Sequence, residues 1–212
     1  MGREFLEIFE EWADDYDNSV MGHDPQYKEV FQNYDIILKE VTESAAGNIL
    51  EFGVGTGNLT AKLLAAGHMV FGVEPSAAMR EIAVEKLPMV QIVDGDFLNF
   101  PKPPFTIDTI VSTYAFHHLT DTEKQTAVKG FAETLLPNGK VVFADTMFLT
   151  AERKQAKIAE AYKLGYQDLA EDLEREYYPI IPIIEEIFTD HNFDISFKQM
   201  NDFVWLIIAT YK

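Results

Sequence analysis

The chain contains no cysteine, and this absence excludes several kinds of chemistry. Without thiols the protein has no disulfide bonds, no thiolate metal ligands and no cysteine nucleophile. Cytoplasmic proteins rarely depend on disulfide bonds, because their compartment keeps thiols reduced. We therefore expect a cytoplasmic protein whose chemistry depends on other side chains.

Positive charge is also scarce, with 17 lysine and arginine residues against 35 aspartate and glutamate residues. The formal net charge is −18, and the densest basic group is only Arg153, Lys154 and Lys157. Nucleic acids and anionic membranes are bound through clustered lysine and arginine. We therefore expect neither as a partner and favour a small molecule, while the sequence leaves the oligomeric state open.

Long hydrophobic runs are missing as well, since no apolar stretch is long enough to cross a bilayer. The first residues, Met1–Leu6, do not form a basic stretch before an apolar core, so we expect no signal peptide. A chain of 212 residues is expected to form a single domain.

From Asn48 to Ala144, short apolar runs alternate with helical patterns. The expected strands here are Ile49–Phe52, Met69–Val73, Val90–Val93, Thr109–Ser112 and Lys140–Ala144. This alternation is typical of βαβ units with right-handed crossovers, which build a parallel sheet. Two further strands, Phe193–Lys198 and Phe203–Thr210, are close enough to form an antiparallel hairpin. The sequence thus predicts an α/β protein with a mostly parallel seven-stranded sheet, helices on both faces, and a hairpin at its end.

Two helices are expected before the sheet. A helical pattern covers residues 3–18, with Phe5, Leu6, Phe9 and Trp12 on its apolar face. We expect the helix itself to end near Asp14. A polar loop follows, and Asp24 and Pro25 then begin a second helix that runs to about Val41.

The segment Asn48–Leu59 is the centre of the pattern, because it predicts a buried strand, a glycine-rich turn and the start of a helix. Gly53, Gly55 and Gly57 allow positive φ and a close approach of ligand to backbone. Free N–H groups at the helix start favour a bound anion or cofactor. The dinucleotide fingerprint has its third glycine three residues after the second, whereas that position here is Asn58. A tight turn without a ligand is the alternative interpretation.

Acidic residues follow the next two strands. Glu74 lies 21 residues after Gly53, where a carboxylate can accept hydrogen bonds from ribose hydroxyls. Asp96 follows the third strand in the segment Gly95-Asp96-Phe97, with Asp94 as an alternative. The competing interpretations are an acid that stabilises a helix start for Glu74 and an Asx turn for Asp96.

The fourth strand leads into Tyr114, His117 and His118, which we take as candidate catalytic residues. A neutral imidazole can act as a general base near neutral pH, although a histidine in such a segment more often only packs and makes hydrogen bonds. No third ligand lies at a spacing that demands a metal, so we expect no metal site.

The pattern Glu51-x-Gly53-x-Gly55-x-Gly57 resembles the first motif of class I S-adenosylmethionine-dependent methyltransferases. The order of motifs resembles that family from about Glu4 to Pro137. More narrowly, Gly2-Arg3-Glu4-Phe5, the segment Trp12–Tyr16 and the Ile49–Gly57 turn resemble the YrrT-like methyltransferases.

The resemblance implies a Rossmann-like fold, S-adenosylmethionine as cofactor and methyl transfer to a small molecule. It implies that the glycine turn, with Glu51, wraps the amino-acid end of the cofactor. It also implies that Asp96 meets the adenine amino group, Phe97 packs on the adenine ring, and Tyr16 lies nearest the methionine carboxylate.

The resemblance further implies four parts within the single domain. These are an N-terminal helical lid (1–45), a cofactor-binding core (46–147), a helical insertion (148–192) and a C-terminal hairpin (193–212).

Two other functions compete with methyl transfer. A nicotinamide-dependent oxidoreductase is opposed by the glycine spacing and by the absence of a Tyr-x-x-x-Lys pair. A protein that binds S-adenosylmethionine without catalysis has the same cofactor motifs, and the sequence does not separate it from an enzyme.

Overall fold

The computed structural model describes Glu10, Ala13 and residues 16–20 and 22–212. Most of the helix expected over 3–18, including Phe5, Leu6, Phe9 and Trp12, therefore lies outside the described residues.

A seven-stranded sheet organises the described chain. In chain order the strands are β1 (Asn48–Phe52), β2 (Met69–Val73), β3 (Gln91–Val93), β4 (Ile107–Thr113), β5 (Leu135–Thr146), β6 (Phe193–Gln199) and β7 (Val204–Tyr211). The spatial order is β3-β2-β1-β4-β5-β7-β6. The first five strands pair in parallel, and β7 pairs antiparallel with both β5 and β6. The predicted parallel sheet with a terminal antiparallel hairpin is confirmed.

Helices pack against both faces of the sheet. In chain order they are α1 (Tyr16–Val20), α2 (Tyr34–Ser44), α3 (Asn58–Ala65), α4 (Ala77–Lys86), α5 (Asp121–Thr134), α6 (Ala151–Leu164), α7 (Gln167–Arg175) and α8 (Ile181–Asp190). One core cluster joins α2, α3, α6 and α7 to one face, through residues such as Leu38 and Leu63. The other joins α5 and α8 to the opposite face, around Phe131 and Phe188.

Side-chain caps begin two of the helices. The Ser76 hydroxyl accepts a hydrogen bond from Met79 N at the start of α4. Thr120 and Glu123 form the capping box that begins α5. Both caps satisfy backbone N–H groups that the first helical turn leaves without partners.

The second helix was predicted from Asp24 and Pro25 to about Val41, and its start is wrong, since the helix spans Tyr34–Ser44. The Asp24 side chain instead accepts a hydrogen bond from Gln26 N, which makes an Asx turn. The chain continues through turns until Asn33, whose φ is 64°, and α2 begins at the next residue. The loop predicted after Asp14 is also wrong in part, since Tyr16–Val20 is helical.

A second correction concerns the segment after α5. The fifth strand, predicted to begin at Lys140, begins at Leu135, and Pro137-Asn138-Gly139 forms an irregularity inside it. The register jumps there, because Ile107 pairs with Leu135 whereas Thr109 pairs with Lys140. Asn138, with φ 67°, accommodates the extra residues.

Candidate active site

Strands β2 and β3 lie on one side of β1, and the chain then returns so that β4 lies on the other side of β1. The strand order therefore reverses between β1 and β4. In open parallel sheets, ligands bind outside the carboxyl ends of the strands at such a switch point. Gly53 directly follows β1, and the segment that begins at Tyr114 follows β4. The predicted site residues after these two strands therefore lie at the expected edge.

The glycine turn adopts a shape that larger residues would not allow. Gly53, Gly55 and Gly57 have φ values of 67°, 56° and 88°. A Cβ on Gly53 would lie 2.7 Å from the Ala115 Cβ, so this glycine is needed for packing. Among the described residues, a Cβ on Gly55 would meet only the Met79 Sδ, at 3.8 Å, which leaves this backbone accessible to a ligand.

Glu74 is tied to the same turn. Its Oε2 accepts a hydrogen bond of 2.8 Å from Gly55 N, and its Oε1 accepts one of 2.8 Å from Ser76 N. Burial raises the pKa of Glu74 to about 7, against the opposing effect of these two N–H donors. The carboxylate thus shapes the glycine turn and stands at the predicted ribose position; its contact with a ribose stays a prediction.

Glu51 lies behind the turn. Its carboxylate is 1% exposed and accepts a hydrogen bond of 2.7 Å from Thr60 Oγ1 on α3. Burial raises the pKa of Glu51 to about 8, although the bond from Thr60 lowers it. Its observed contact joins β1 to α3, while its predicted role in holding the cofactor stays a prediction.

Asp96 and Phe97 follow β3. The Asp96 Oδ1 accepts hydrogen bonds from Leu98 N at 2.9 Å and Asn99 N at 2.8 Å, which is the Asx turn considered as an alternative. Phe97 is buried and stacks on Phe52, with ring centroids 4.8 Å apart. Phe97 is therefore part of the core, and the predicted contacts of both side chains with adenine stay predictions.

The N-terminal segment is anchored to the glycine turn through Asp17 on α1. Its Oδ1 accepts hydrogen bonds from Thr56 Oγ1 at 2.7 Å and Asn58 Nδ2 at 3.0 Å. Its Oδ2 lies 2.6 Å from Lys86 Nζ. Burial opposes ionisation of Asp17, but hydrogen bonds led by Lys86 lower its pKa overall. No local pattern predicts this contact, because Asp17 stands in a run of acids expected to form a loop.

Glu10 makes a second anchor. Its carboxylate accepts hydrogen bonds from Ala77 N at 2.7 Å and Ser76 Oγ at 3.0 Å, at the start of α4. Negative charge is favourable at a helix N-terminus. Two acids from the N-terminal segment therefore lie over the edge where the cofactor site is expected.

A cavity of about 480 Å³ is lined by Tyr114, His117 and His118, which follow β4. Its aromatic lining residues are Tyr16, Tyr27, Phe31, Tyr114, Tyr178 and Phe203. His117, His118 and several acids of α7 complete the wall. The structure thus brings the predicted Tyr16, Tyr114, His117 and His118 together around one cavity.

Tyr16 lines this cavity and shares a hydrogen bond with Tyr34. Burial, followed by the neighbouring Tyr34 and Tyr114, raises the pKa of Tyr16 well above its usual value. The phenol is therefore neutral, and its predicted proximity to the methionine carboxylate stays a prediction.

Tyr114 has two unusual features. Its φ is 52°, which is strained for a bulky residue. Its hydroxyl is buried and has no hydrogen-bond partner among the described residues, as is also true of the Ser112 hydroxyl. Such buried groups are uncommon and are expected to meet a ligand or water.

His117 is held by two carboxylates. Its Nδ1 lies 2.5 Å from Asp145 Oδ1, and its Nε2 lies 3.0 Å from Glu176 Oε2. Burial alone would lower the pKa of His117, but these carboxylates outweigh it and raise the pKa to about 9. For His118, burial and the neighbouring His117 lower the pKa well below its usual value.

Glu176 is the residue of this cluster that sequence reasoning missed. It follows α7, and its side chain is 9% exposed. Buried Lys124 holds the adjoining chain in place by donating to the Tyr177 carbonyl oxygen at 2.8 Å. Tyr178 stacks on His117 with ring centroids 4.6 Å apart. In the sequence, Glu176 is only an acid beside two tyrosines before Pro179, and this pattern predicts no particular structure or function.

The Rossmann-like sheet, its glycine turn and the adjoining cavity define a cofactor-dependent enzyme of the class I methyltransferase type. The matching family model is described as a methyltransferase domain and spans residues 49–139. An uncharacterized methyltransferase of Oceanobacillus iheyensis is 62% identical over 209 residues, which are 99% of this chain and 98% of the relative. The uncharacterized methyltransferase YrrT of Bacillus subtilis is 54% identical over 210 residues, 99% of each chain. The chain therefore belongs to the S-adenosylmethionine-dependent methyltransferase family that includes these relatives.

Solved structures agree on the fold. Magnesium protoporphyrin IX methyltransferase of Synechocystis PCC 6803 with bound SAH aligns with a TM-score of 0.70, over 97% of this chain and 99% of that chain, at 14% identity. The DhpI complex with SAM and HEP aligns with a TM-score of 0.70 over 96% of this chain and 94% of that chain, at 18% identity. Within the described residues, no helix is both long and apolar enough to cross a membrane.

The described residues fit S-adenosylmethionine as the cofactor. The open face of Gly55 allows close approach to the backbone. Glu74 offers a carboxylate at the end of β2 for ribose hydroxyls. The buried Ser112 hydroxyl at the end of β4 is available for a further hydrogen bond, since no described residue provides one.

Proposed function

We propose that this enzyme transfers a methyl group to a small-molecule acceptor bound in the cavity lined by Tyr114, His117 and His118. The observation that carries the proposal is that consecutive residues link this cavity to the glycine turn. Tyr114 lines the cavity, and the next residue, Ala115, packs against Gly53. The cofactor site and the cavity are therefore neighbours.

The size and charge of the protein support a small acceptor. A cavity of about 480 Å³ lies within the range of about 300–1,000 Å³ that small-molecule sites occupy. The net charge of −18 opposes binding to nucleic acid. Cytoplasmic localisation stays a prediction from the sequence.

S-adenosylmethionine, when bound, supplies a methyl group activated by its sulfonium. The task of the chain is to hold the acceptor in line with that methyl group and to exclude water. Tyr114 offers a hydroxyl for orienting the acceptor, and the rings of His117 and His118 bound the same space. A general base is needed only where the acceptor must lose a proton.

The test uses S-adenosylmethionine with a labelled methyl group and an extract of Bacillus subtilis separated by ultrafiltration. We expect label to enter compounds of the low-mass fraction. Label found only in the retained macromolecules would contradict a small acceptor. No transfer to either fraction, despite cofactor binding, would favour the non-catalytic alternative.

We also propose that the N-terminal segment acts as a lid over the cofactor. The bonds of Asp17 to Thr56 and Asn58, and of Glu10 to Ala77 N, support this role, because they cross the edge of the sheet at the glycine turn. Lids of this kind exclude water and complete the site when substrate is bound.

Asp17→Ala should loosen this lid, because it removes the acceptor of three hydrogen bonds. We expect hydrogen exchange of amides 16–20 and 22–24 to become several-fold faster, and S-adenosylhomocysteine to slow it in the unsubstituted protein. Asp35→Ala is the control, since Asp35 pairs with Lys62 on an exposed surface and such pairs contribute little. Equal exchange with and without S-adenosylhomocysteine would make the segment a fixed cap.

A further inference from the structure

We propose that His117, His118 and Glu176 form a binding site for a divalent transition-metal ion, of which Zn²⁺ is the reference case. The three side chains are buried, and each offers one ligand atom. These three atoms all lie within 4.8 Å of one another. The histidines follow β4 whereas Glu176 follows α7, so only the folded chain assembles the cluster.

The separations of the ligand atoms suit a metal ion. His117 Nε2 lies 3.0 Å from Glu176 Oε2, and His118 Nδ1 lies 3.5 Å from the same oxygen. In a tetrahedral zinc site with bonds of about 2.0–2.1 Å, neighbouring ligand atoms lie about 3.3 Å apart. Small side-chain movements would therefore place an ion between the three atoms.

Asp145 orients one of the two imidazoles. Its Oδ1 lies 2.5 Å from His117 Nδ1, and its Oδ2 accepts a hydrogen bond of 2.9 Å from His117 N. The other ring nitrogen, Nε2, is thereby directed at Glu176. Histidines that bind metals almost always make such a bond from the second ring nitrogen to a carboxylate or carbonyl.

The surroundings of the cluster hold the ligands and balance the charge. Tyr178 stacks on the His117 ring at an interplanar angle of 19°. Arg175 Nη2 approaches the other carboxylate oxygen, Glu176 Oε1, at 3.7 Å. Asp145 and Glu176 together bring two carboxylates to the cluster, and a divalent ion carries the matching charge.

The ligand types select the class of metal. Two imidazole nitrogens and one carboxylate oxygen suit zinc and other first-row transition metals, whereas calcium and magnesium prefer oxygen ligands. All three residues line the cavity, so an ion held by them would border the space proposed for the acceptor. Any contact of the ion with the acceptor rests on the proposed function; binding of the ion does not.

The test measures metal binding by the full-length protein without any acceptor. Chelator-treated protein is loaded with Zn²⁺ or Co²⁺, desalted and analysed for metal content, and the Co²⁺ form is examined for visible d–d absorption. We expect one ion per chain and the absorption of a low-coordinate nitrogen and oxygen site. Glu176→Gln and His118→Gln should each abolish retention, and Asp145→Asn should weaken affinity by about 10–100-fold, the range for residues that orient a ligand.

His68→Ala is the matched control, because His68 bonds the Gly47 carbonyl oxygen at an exposed position outside the cavity. This variant should retain the ion, and circular dichroism verifies that each variant is folded. No retained ion in the folded protein would overturn the proposal and leave a proton shared by His117 and Glu176 as the state of the cluster. Equal retention by Glu176→Gln, His118→Gln and His68→Ala would place the ion elsewhere and overturn it too. Thermal stabilisation by S-adenosylhomocysteine tests the cofactor site separately.

Discussion

Glu74→Ala is expected to weaken binding of S-adenosylhomocysteine by about 10- to 150-fold, or about 1.5–3 kcal/mol, the range for hydrogen bonds to charged groups. Two causes contribute to this loss. The substitution removes the carboxylate proposed to bind ribose, and it removes the acceptor that fixes Gly55 N in the glycine turn. Isothermal titration calorimetry measures the change directly.

Glu186→Ala is the control, because Glu186 is an exposed acid on α8 that was never a candidate for the cofactor site, and this variant should leave the dissociation constant nearly unchanged. The sequence alone suggests that Glu74→Ala leaves folding intact. Since its carboxylate accepts bonds from Gly55 N and Ser76 N, we expect a loss of about 1–3 kcal/mol in the free energy of unfolding as well. Unchanged binding by a folded Glu74→Ala protein would reduce Glu74 to a structural role.

Glu51→Gln should stabilise the protein at alkaline pH relative to the unsubstituted chain. Burial raises the pKa of Glu51 from 4.5 to about 8 in the folded state. The folded state therefore holds this proton where the unfolded state has lost it. The stability contribution is fully present below pH 4.5 and is lost as pH rises to about 8. Glutamine does not ionise, so the variant avoids that loss.

The expected gain above pH 8 is of the order of a few kcal/mol, because each unit of pKa shift corresponds to about 1.36 kcal/mol. Glu74 keeps part of the pH dependence in the variant, since burial raises its pKa too. Urea unfolding at several pH values measures the effect, with exposed Glu81→Gln as the control that should follow the unsubstituted chain. A difference between Glu51→Gln and the unsubstituted chain that stays constant across pH would contradict the account.

The parts of the fold that local patterns encode were predictable from the sequence. Ser76 and Thr120 carry their helix-capping signals within three residues, and the strands follow apolar runs. The predicted helix start at Asp24 is wrong because an aspartate before proline is as typical of an Asx turn as of a helix cap. Only the positive φ of Asn33 shows where α2 begins.

The candidate site was predictable only where it lies directly after a strand. Glu74, Tyr114 and His117 were found because parallel strands end at one edge. Glu176 was missed because it reaches His117 from 59 positions away, held by the bond of Lys124 to the Tyr177 carbonyl. Such contacts depend on how the helical insertion packs, and no local pattern records that packing.

Dependence on S-adenosylmethionine is the central claim, and thermal unfolding with different cofactors tests it most directly. Because ligands that bind only the folded state stabilise it by mass action, saturating S-adenosylhomocysteine at about 100 times its dissociation constant should add about 2.7 kcal/mol. For a chain of this size that is a rise of about 5–10 °C in Tm. NAD and NADP at equal concentration should leave Tm unchanged. Stabilisation by NAD with none by S-adenosylhomocysteine would contradict the account.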